Sequence, residues 1–176
     1  MKVGFLLGSP DISGGTNVIF EHAAGLLRLG HEVSIITQEP IEPNRYSWHA
    51  KASLLQWLTM EDAQNEHFDC VLATWWESPY LLEYLEASHY VYFVQSIESR
   101  LFAPDDPKNL DFRDHSLGAD RCDHGYFFSL PVITEARWIQ DFLQQEYNHQ
   151  PHLVRNGINK EIYANRETLS IRTPGK

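Results

Sequence analysis

Adjacent glycines at the start of a helix can hold an anion, and such a pair follows the first apolar run of this chain. The stretch Gly8-Ser9-Pro10-Asp11-Ile12-Ser13-Gly14-Gly15-Thr16 joins that run to an amphipathic segment. With no Cβ at Gly14 or Gly15, a phosphate could approach the backbone N–H groups, where the helix dipole favours negative charge. A tight strand-to-helix turn with no ligand would use the same residues. The spacing is not Gly-x-Gly-x-x-Gly, since eight positions rather than six run from Gly8 to Gly15, and no Gly-Lys-Ser/Thr follows. These departures disfavour a nicotinamide oxidoreductase and a P-loop NTPase. Glu39 stands where a ribose-binding acid would, but Pro40 makes it read as a turn residue.

Three further groups carry side chains suited to a ligand. Trp75-Trp76-Glu77 follows a strand and offers an apolar wall with a polar handle for a sugar acceptor; alternatively one Trp is core and the other covers a helix end. Arg100, Arg113 and Arg121 could grip an acceptor phosphate, or pair with the many nearby Asp residues as surface charges. His115, Cys122, Asp123 and His124 match no helix-face pair or zinc signature, so no bound metal is expected. Arg45–Leu58 interleaves Trp48, Ala52, Leu55 and Trp57 with Lys51. It reads either as an interfacial amphipathic helix or, given its two basic residues, as a segment packed on the sheet.

The elements that must position these residues follow an α/β pattern. Val3–Gly8 is a short apolar run without alternation, as a strand buried on both faces requires. Thr16 is a plausible N-cap, and Ile19, Ala23, Leu26 and Leu27 share one face of the helix after it. Gly30 stops that helix and Glu32–Thr37 is the next strand, completing a βαβ unit. The unit recurs. Phe68–Thr74, Tyr90–Gln95, Pro131–Thr134 and His152–Arg155 read as strands. Ser78-Pro79 reads as the start of a helix with Leu81, Leu82 and Leu85 buried. Ile139, Phe142, Leu143 and Tyr147 line another, which Pro151 closes. The expected fold is α/β, a Rossmann-like doubly wound parallel sheet with right-handed crossovers. Pro40–Ala50 and Ser99–Arg113 are the irregular stretches.

At 176 residues the chain is one domain by length. Residues 1–165 read as that domain, and the polar 166–176 as the start of a linker. A formal charge of −10 disfavours a nucleic-acid partner, which needs excess Lys and Arg. Cys70 and Cys122 form no CxxC pair and fit a reducing compartment. The run after Lys2 is too short for a signal-peptide core, and no stretch reaches the roughly 20 apolar residues that span a bilayer. The expected location is cytoplasmic, peripheral at a membrane at most.

Two stretches at opposite ends carry a resemblance. Met1–Thr37, with its Gly-Gly loop, helix and Gly30-His31-Glu32-Val33, looks like the opening of group 1 (family four) retaining glycosyltransferases. Pro131–Tyr163 is similar too, ending in Val154-Arg155-Asn156-Gly157-Ile158-Asn159 before Tyr163, where the family commonly has Asn-Gly-Val-Asp and an aromatic. The resemblance covers the chain but only half of the family's enzyme, which has two Rossmann-like domains facing a cleft, the GT-B fold. It implies an N-terminal, acceptor-side domain whose partner, a C-terminal donor-binding domain carrying the Glu-x7-Glu motif, is missing here. It implies donor diphosphate contact at Gly14, Gly15 and Thr16, and a donor-side loop at Asn156 and Gly157. Val91–Arg100 stands where many relatives have a strand ending in a His that reaches the donor sugar; here Gln95 takes that place. An amide can hydrogen-bond a sugar hydroxyl but cannot act as a charged acid, and a strand-end cap is the plain alternative.

The expectation is therefore half of a glycosyltransferase. It would move a sugar from a nucleotide sugar, a substrate rather than a cofactor, to a saccharide, lipid-linked or protein acceptor with retention. Polysaccharide biosynthesis is a suitable setting, with Gln95 as the catalytic candidate and Trp75, Trp76, Glu77 and Arg100 lining the acceptor side. The fragment alone is expected to be inactive. The rival reading is a non-catalytic Rossmann-like binding module or a subunit of a split transferase.

Overall fold

The computed structural model describes residues 1–102 and 112–157, with backbone alone over 112–117. Arg113 and His115 therefore lie outside the described side chains, and Ile158, Asn159, Tyr163 and the 166–176 segment outside the described residues. Seven parallel strands form one sheet in the order β3-β2-β1-β4-β5-β6-β7. They are β1 (Lys2–Leu6), β2 (Glu32–Thr37), β3 (Gln56–Thr59), β4 (His67–Ala73), β5 (Glu86–Val94), β6 (Val132–Thr134) and β7 (His152–Leu153). The helices are α1 (Gly14–Arg28), α2 (Met60–Ala63), α3 (Phe112–Gly125) and α4 (Arg137–Tyr147). The α/β, Rossmann-like parallel sheet expected from the strand and helix alternation is the fold observed.

Central strands are apolar on both faces because helices cover both. One core joins Phe5, Ile19, Phe20, Ala23 and Ile35; the other joins Phe68, Val71, Tyr92, Ile139 and Leu143. Apolar burial of this kind contributes about 25 cal/mol per Å². Gly30 ends α1 with φ +86°, a conformation that suits glycine, while α4 ends at Asn148, left-handed at φ 55°. That residue, not Pro151, stops α4. Asn tolerates the left-handed region, and the next amide, of His149, bonds back to Leu143.

Several local expectations are corrected or decided by the structure. Ser13, not Thr16, is the N-cap of α1: it is extended (φ −152°, ψ 162°) and its hydroxyl accepts the Thr16 N–H. Leu27 is exposed, since Phe20 and Ala24 take the buried face with Ile19 and Ala23. Residues 45–58 follow the packed alternative rather than the interfacial helix. Short 3-10 turns lead into β3, which pairs with β2, while Trp48 and Trp57 pack on Phe20. Ser78–Tyr84 is a 3-10 helix rather than an α-helix, and α3 arises in a stretch with no expected element.

Candidate functional site

The chain leaves β1 toward β2 on one side and leaves β4 toward β5 on the other, so the winding reverses between β1 and β4. Loops diverging from such a pair leave a crevice at the strands' carboxyl ends. The Thr74 hydroxyl donates to the Leu6 carbonyl across this pair, fixing where the two loops part.

The loop after β1 is held from several directions. Ser13 Oγ accepts the Thr16 N–H at 3.0 Å, and Thr16 Oγ1 donates to the Ser9 carbonyl at 3.2 Å. Arg45 donates to both Asp11 carboxylate oxygens, at 3.2 and 2.6 Å, which lowers the Asp11 carboxyl below its ordinary range. Trp48 Nε1 donates to the Pro10 carbonyl at 2.9 Å. With the Thr16 and Asn17 amides taken by Ser13, the Gly14 and Gly15 N–H groups have no acceptor within the helix. Gly14 is exposed, and a Cβ placed there would meet nothing within 4 Å.

Gln95 closes the other side. Its amide lies 3.5 Å from where a Gly15 Cβ would sit, and its Oε1 is buried without a hydrogen-bond partner. Buried amide oxygens are almost always satisfied by protein, water or ligand. The Trp75 ring lies over Gly8, where a Cβ would stand 3.0 Å from it. Trp75 Nε1 donates to Glu77 Oε2 at 3.4 Å, and Ser78 Oγ closes the turn onto the Trp75 carbonyl at 2.5 Å. The Trp76 ring lies beneath the Arg121 guanidinium, 5.4 Å from its centroid, with Phe102 edge-on at 5.8 Å. Gly15 and Gln95 thus face each other and Trp75 lies over Gly8, all at the carboxyl edge of the sheet.

Other sequence candidates are placed elsewhere. The Arg100 guanidinium stacks on Trp138 and Phe142 of α4, at 5.2 and 5.5 Å, rather than beside Trp75–Glu77. Arg121 likewise lies over Trp76 and Tyr80, so among the described residues both cations rest on aromatic faces. Asn156 donates to Glu135 at 2.6 Å past β7, three strands from β4, roughly 14 Å along the sheet edge. A Cβ on Gly157 would meet nothing within 4 Å. The Cys122 thiol is buried and pushed up to about 12 by desolvation, and His124 stacks on Tyr80. Among the described residues no group of three His, Cys, Asp or Glu is arranged to hold a metal ion.

Sequence reasoning missed Glu98. It is half-buried at the start of the 3-10 turn Glu98–Phe102 that follows β5. Burial pushes its carboxyl up to about 7, and the Glu77 charge adds to that rise. A charged residue directly after the buried Ile97, at the carboxyl edge, was the available signal.

No family model matches the chain, and no curated protein matches it in sequence. A solved structure, a ugt transferase from Siraitia grosvenorii in complex with UDP, is similar with TM-score 0.50 and 9% identity, over 89% of this chain and 50% of that one. At that identity the likeness is one of fold. The chain spans about half the length of that structure.

Proposed function

We propose that the chain is the N-terminal, acceptor-side half of a two-domain GT-B glycosyltransferase. It would move a sugar from a nucleotide sugar to a saccharide, lipid-linked or protein acceptor, with retention as the resemblance implies. The observation that carries this reading is the approach of Gly15 to Gln95 and of Gly8 to Trp75, where the chain leaves β1, β4 and β5 beside the β1/β4 switch. Two further observations support it: the fold is shared with half of a transferase captured with UDP, and the Gly14 and Gly15 N–H groups point out of the start of a 15-residue helix.

In this account a C-terminal domain of the complete enzyme holds most of the donor across the cleft. The Gly14 and Gly15 amides stabilise the negative charge that grows on the departing diphosphate. Gln95 hydrogen-bonds a donor-sugar hydroxyl and orients the ring, since its neutral amide cannot supply a proton. The indole of Trp75 and the carboxylate of Glu77 receive the acceptor. No helix among the described residues is long and apolar enough to cross a membrane, which is compatible with a cytoplasmic or peripheral enzyme of polysaccharide synthesis.

The test is sugar transfer by the complete two-domain enzyme carrying Gln95→Ala or Gly15→Val. Loss of transfer with an unchanged fold supports the reading. Wild-type rates in both variants would remove its basis.

A further inference from the structure

The loop between β1 and α1 is not held by burial of its own side chains. From Gly8 to Gly14 only Pro10 is buried, and Ile12 is 77% exposed. The segment between β2 and β3 holds the loop from outside. Trp48 Nε1 donates to the Pro10 carbonyl at 2.9 Å, and Arg45 grips both Asp11 carboxylate oxygens. The same segment is anchored on α1. The Trp48 ring lies 5.7 Å from that of Phe20, centroid to centroid, and Lys51 Nζ donates to Glu21 Oε2 at 2.6 Å. His49 Nε2 lies 3.5 Å from the other oxygen of that carboxylate. Phe20 is fully buried, so Trp48 extends the order of the core out to the loop. Asp11 passes it on: Ser9 Oγ donates to its carboxylate at 2.8 Å, and the Ser9 carbonyl accepts the Thr16 hydroxyl at 3.2 Å. This chain of contacts ends at the first turn of α1, where the Gly14 and Gly15 N–H groups have no acceptor within the helix.

We propose that Trp48 and Arg45 are positioning residues for the Gly14–Gly15 turn: by holding the Pro10 carbonyl and the Asp11 carboxylate, they fix the β1–α1 loop in the shape that aims the two amides out of the helix start. The step from this turn to catalysis rests on reading it as the diphosphate site. The two ties are unequal. The Arg45–Asp11 pair is exposed, so salt screens it, whereas the Trp48 bond is part-buried and backed by the aromatic core. Trp48 is therefore the principal anchor and Arg45 the auxiliary one. Amides stabilise a developing charge best when they are ordered beforehand. A looser loop should therefore slow the chemical step more than it weakens donor binding.

The experiment compares Trp48→Phe and Arg45→Gln with a control, Trp57→Phe. Trp48→Phe keeps an aromatic ring against Phe20 and loses the donor to Pro10. Trp57→Phe also loses one indole hydrogen bond of this segment, to the Ala52 carbonyl at 3.0 Å, but that bond does not involve the loop. In the 176-residue chain, the heteronuclear NOEs of the Gly14 and Gly15 amides should fall in Trp48→Phe and fall less in Arg45→Gln. They should keep wild-type values in Trp57→Phe. Arg45 is exposed, so its variant is read even if Trp48→Phe does not fold. In the complete enzyme, kcat should fall about tenfold in Trp48→Phe with the KM for nucleotide sugar within about twofold. Both constants should be unchanged in Trp57→Phe. Gly14 and Gly15 amides as rigid as the wild type's in every folded variant, or loosened equally by Trp57→Phe, overturn the proposal. Loosened amides with an unchanged kcat leave the loop anchor standing and remove the diphosphate reading instead.

Discussion

Gly15 and Gln95 face each other at a spacing that separates fold from function. A Cβ at Gly15 would stand 3.5 Å from the Gln95 amide, an ordinary contact, so Gly15→Val is expected to leave the domain folded. Its melting temperature should move by only about 3 °C, while the branched side chain keeps a diphosphate off the helix amides. In the complete enzyme we expect transfer to fall by about 10² or more, read from initial rates. Glu98 supports a second prediction at this scale. Its folded-state affinity for a proton is raised above the unfolded one, so the folded chain binds more protons between 4.5 and about 7. Its contribution to stability is therefore best below 4.5, declines as pH rises to about 7, and is level above that. Glu98→Gln removes this slope, so the melting temperature of the wild type relative to the variant should decline over that range. A parallel pair of curves would contradict the burial of this carboxyl.

Elements decide how these side chains are aimed, and α1 is the one that matters most. Ser13→Ala removes the hydroxyl that accepts the Thr16 N–H and should cost about 1 kcal/mol in urea unfolding. An unchanged midpoint would mean that water caps the helix equally well. The sequence left Ser13 and Thr16 hard to tell apart, because both are capping residues and the glycine pair between them reads as loop by propensity. Helix α4 was legible for the opposite reason: Ile139 and Leu143, four apart, are both fully buried. For the segment before β3 the packed reading holds: pairing of β3 with β2 and stacking of Tyr46 on Trp57 at 4.1 Å set its course, although its aromatic spacing also suits a helix face. Helix α3 is polar along most of its length and gives little apolar period. Glu98 was hidden with it, since the turn it opens, Glu98–Phe102, packs against α3.

At the scale of the molecule, the sheet order puts Gly14–Thr16, Trp75–Glu77 and Gln95 on one edge, and the chain spans about half of its structural neighbour. On the proposed reading the site is shared with a second domain, so this chain alone should neither turn over a donor nor hold a nucleotide tightly. The 176-residue chain alone is therefore expected to show no sugar transfer and no donor hydrolysis in an assay of nucleotide-sugar consumption. Robust turnover would contradict the division of the site between two domains. The most direct measurement is amide shift perturbation of this chain by oligosaccharides, nucleotide sugars and NADH. We expect saccharide binding at roughly millimolar strength and no tight binding of a free nucleotide. The perturbed amides should be those of Gly14–Thr16, Trp75–Glu77 and Gln95. Perturbations gathered at the amino ends of the strands, or NADH binding at about micromolar strength, would contradict the account.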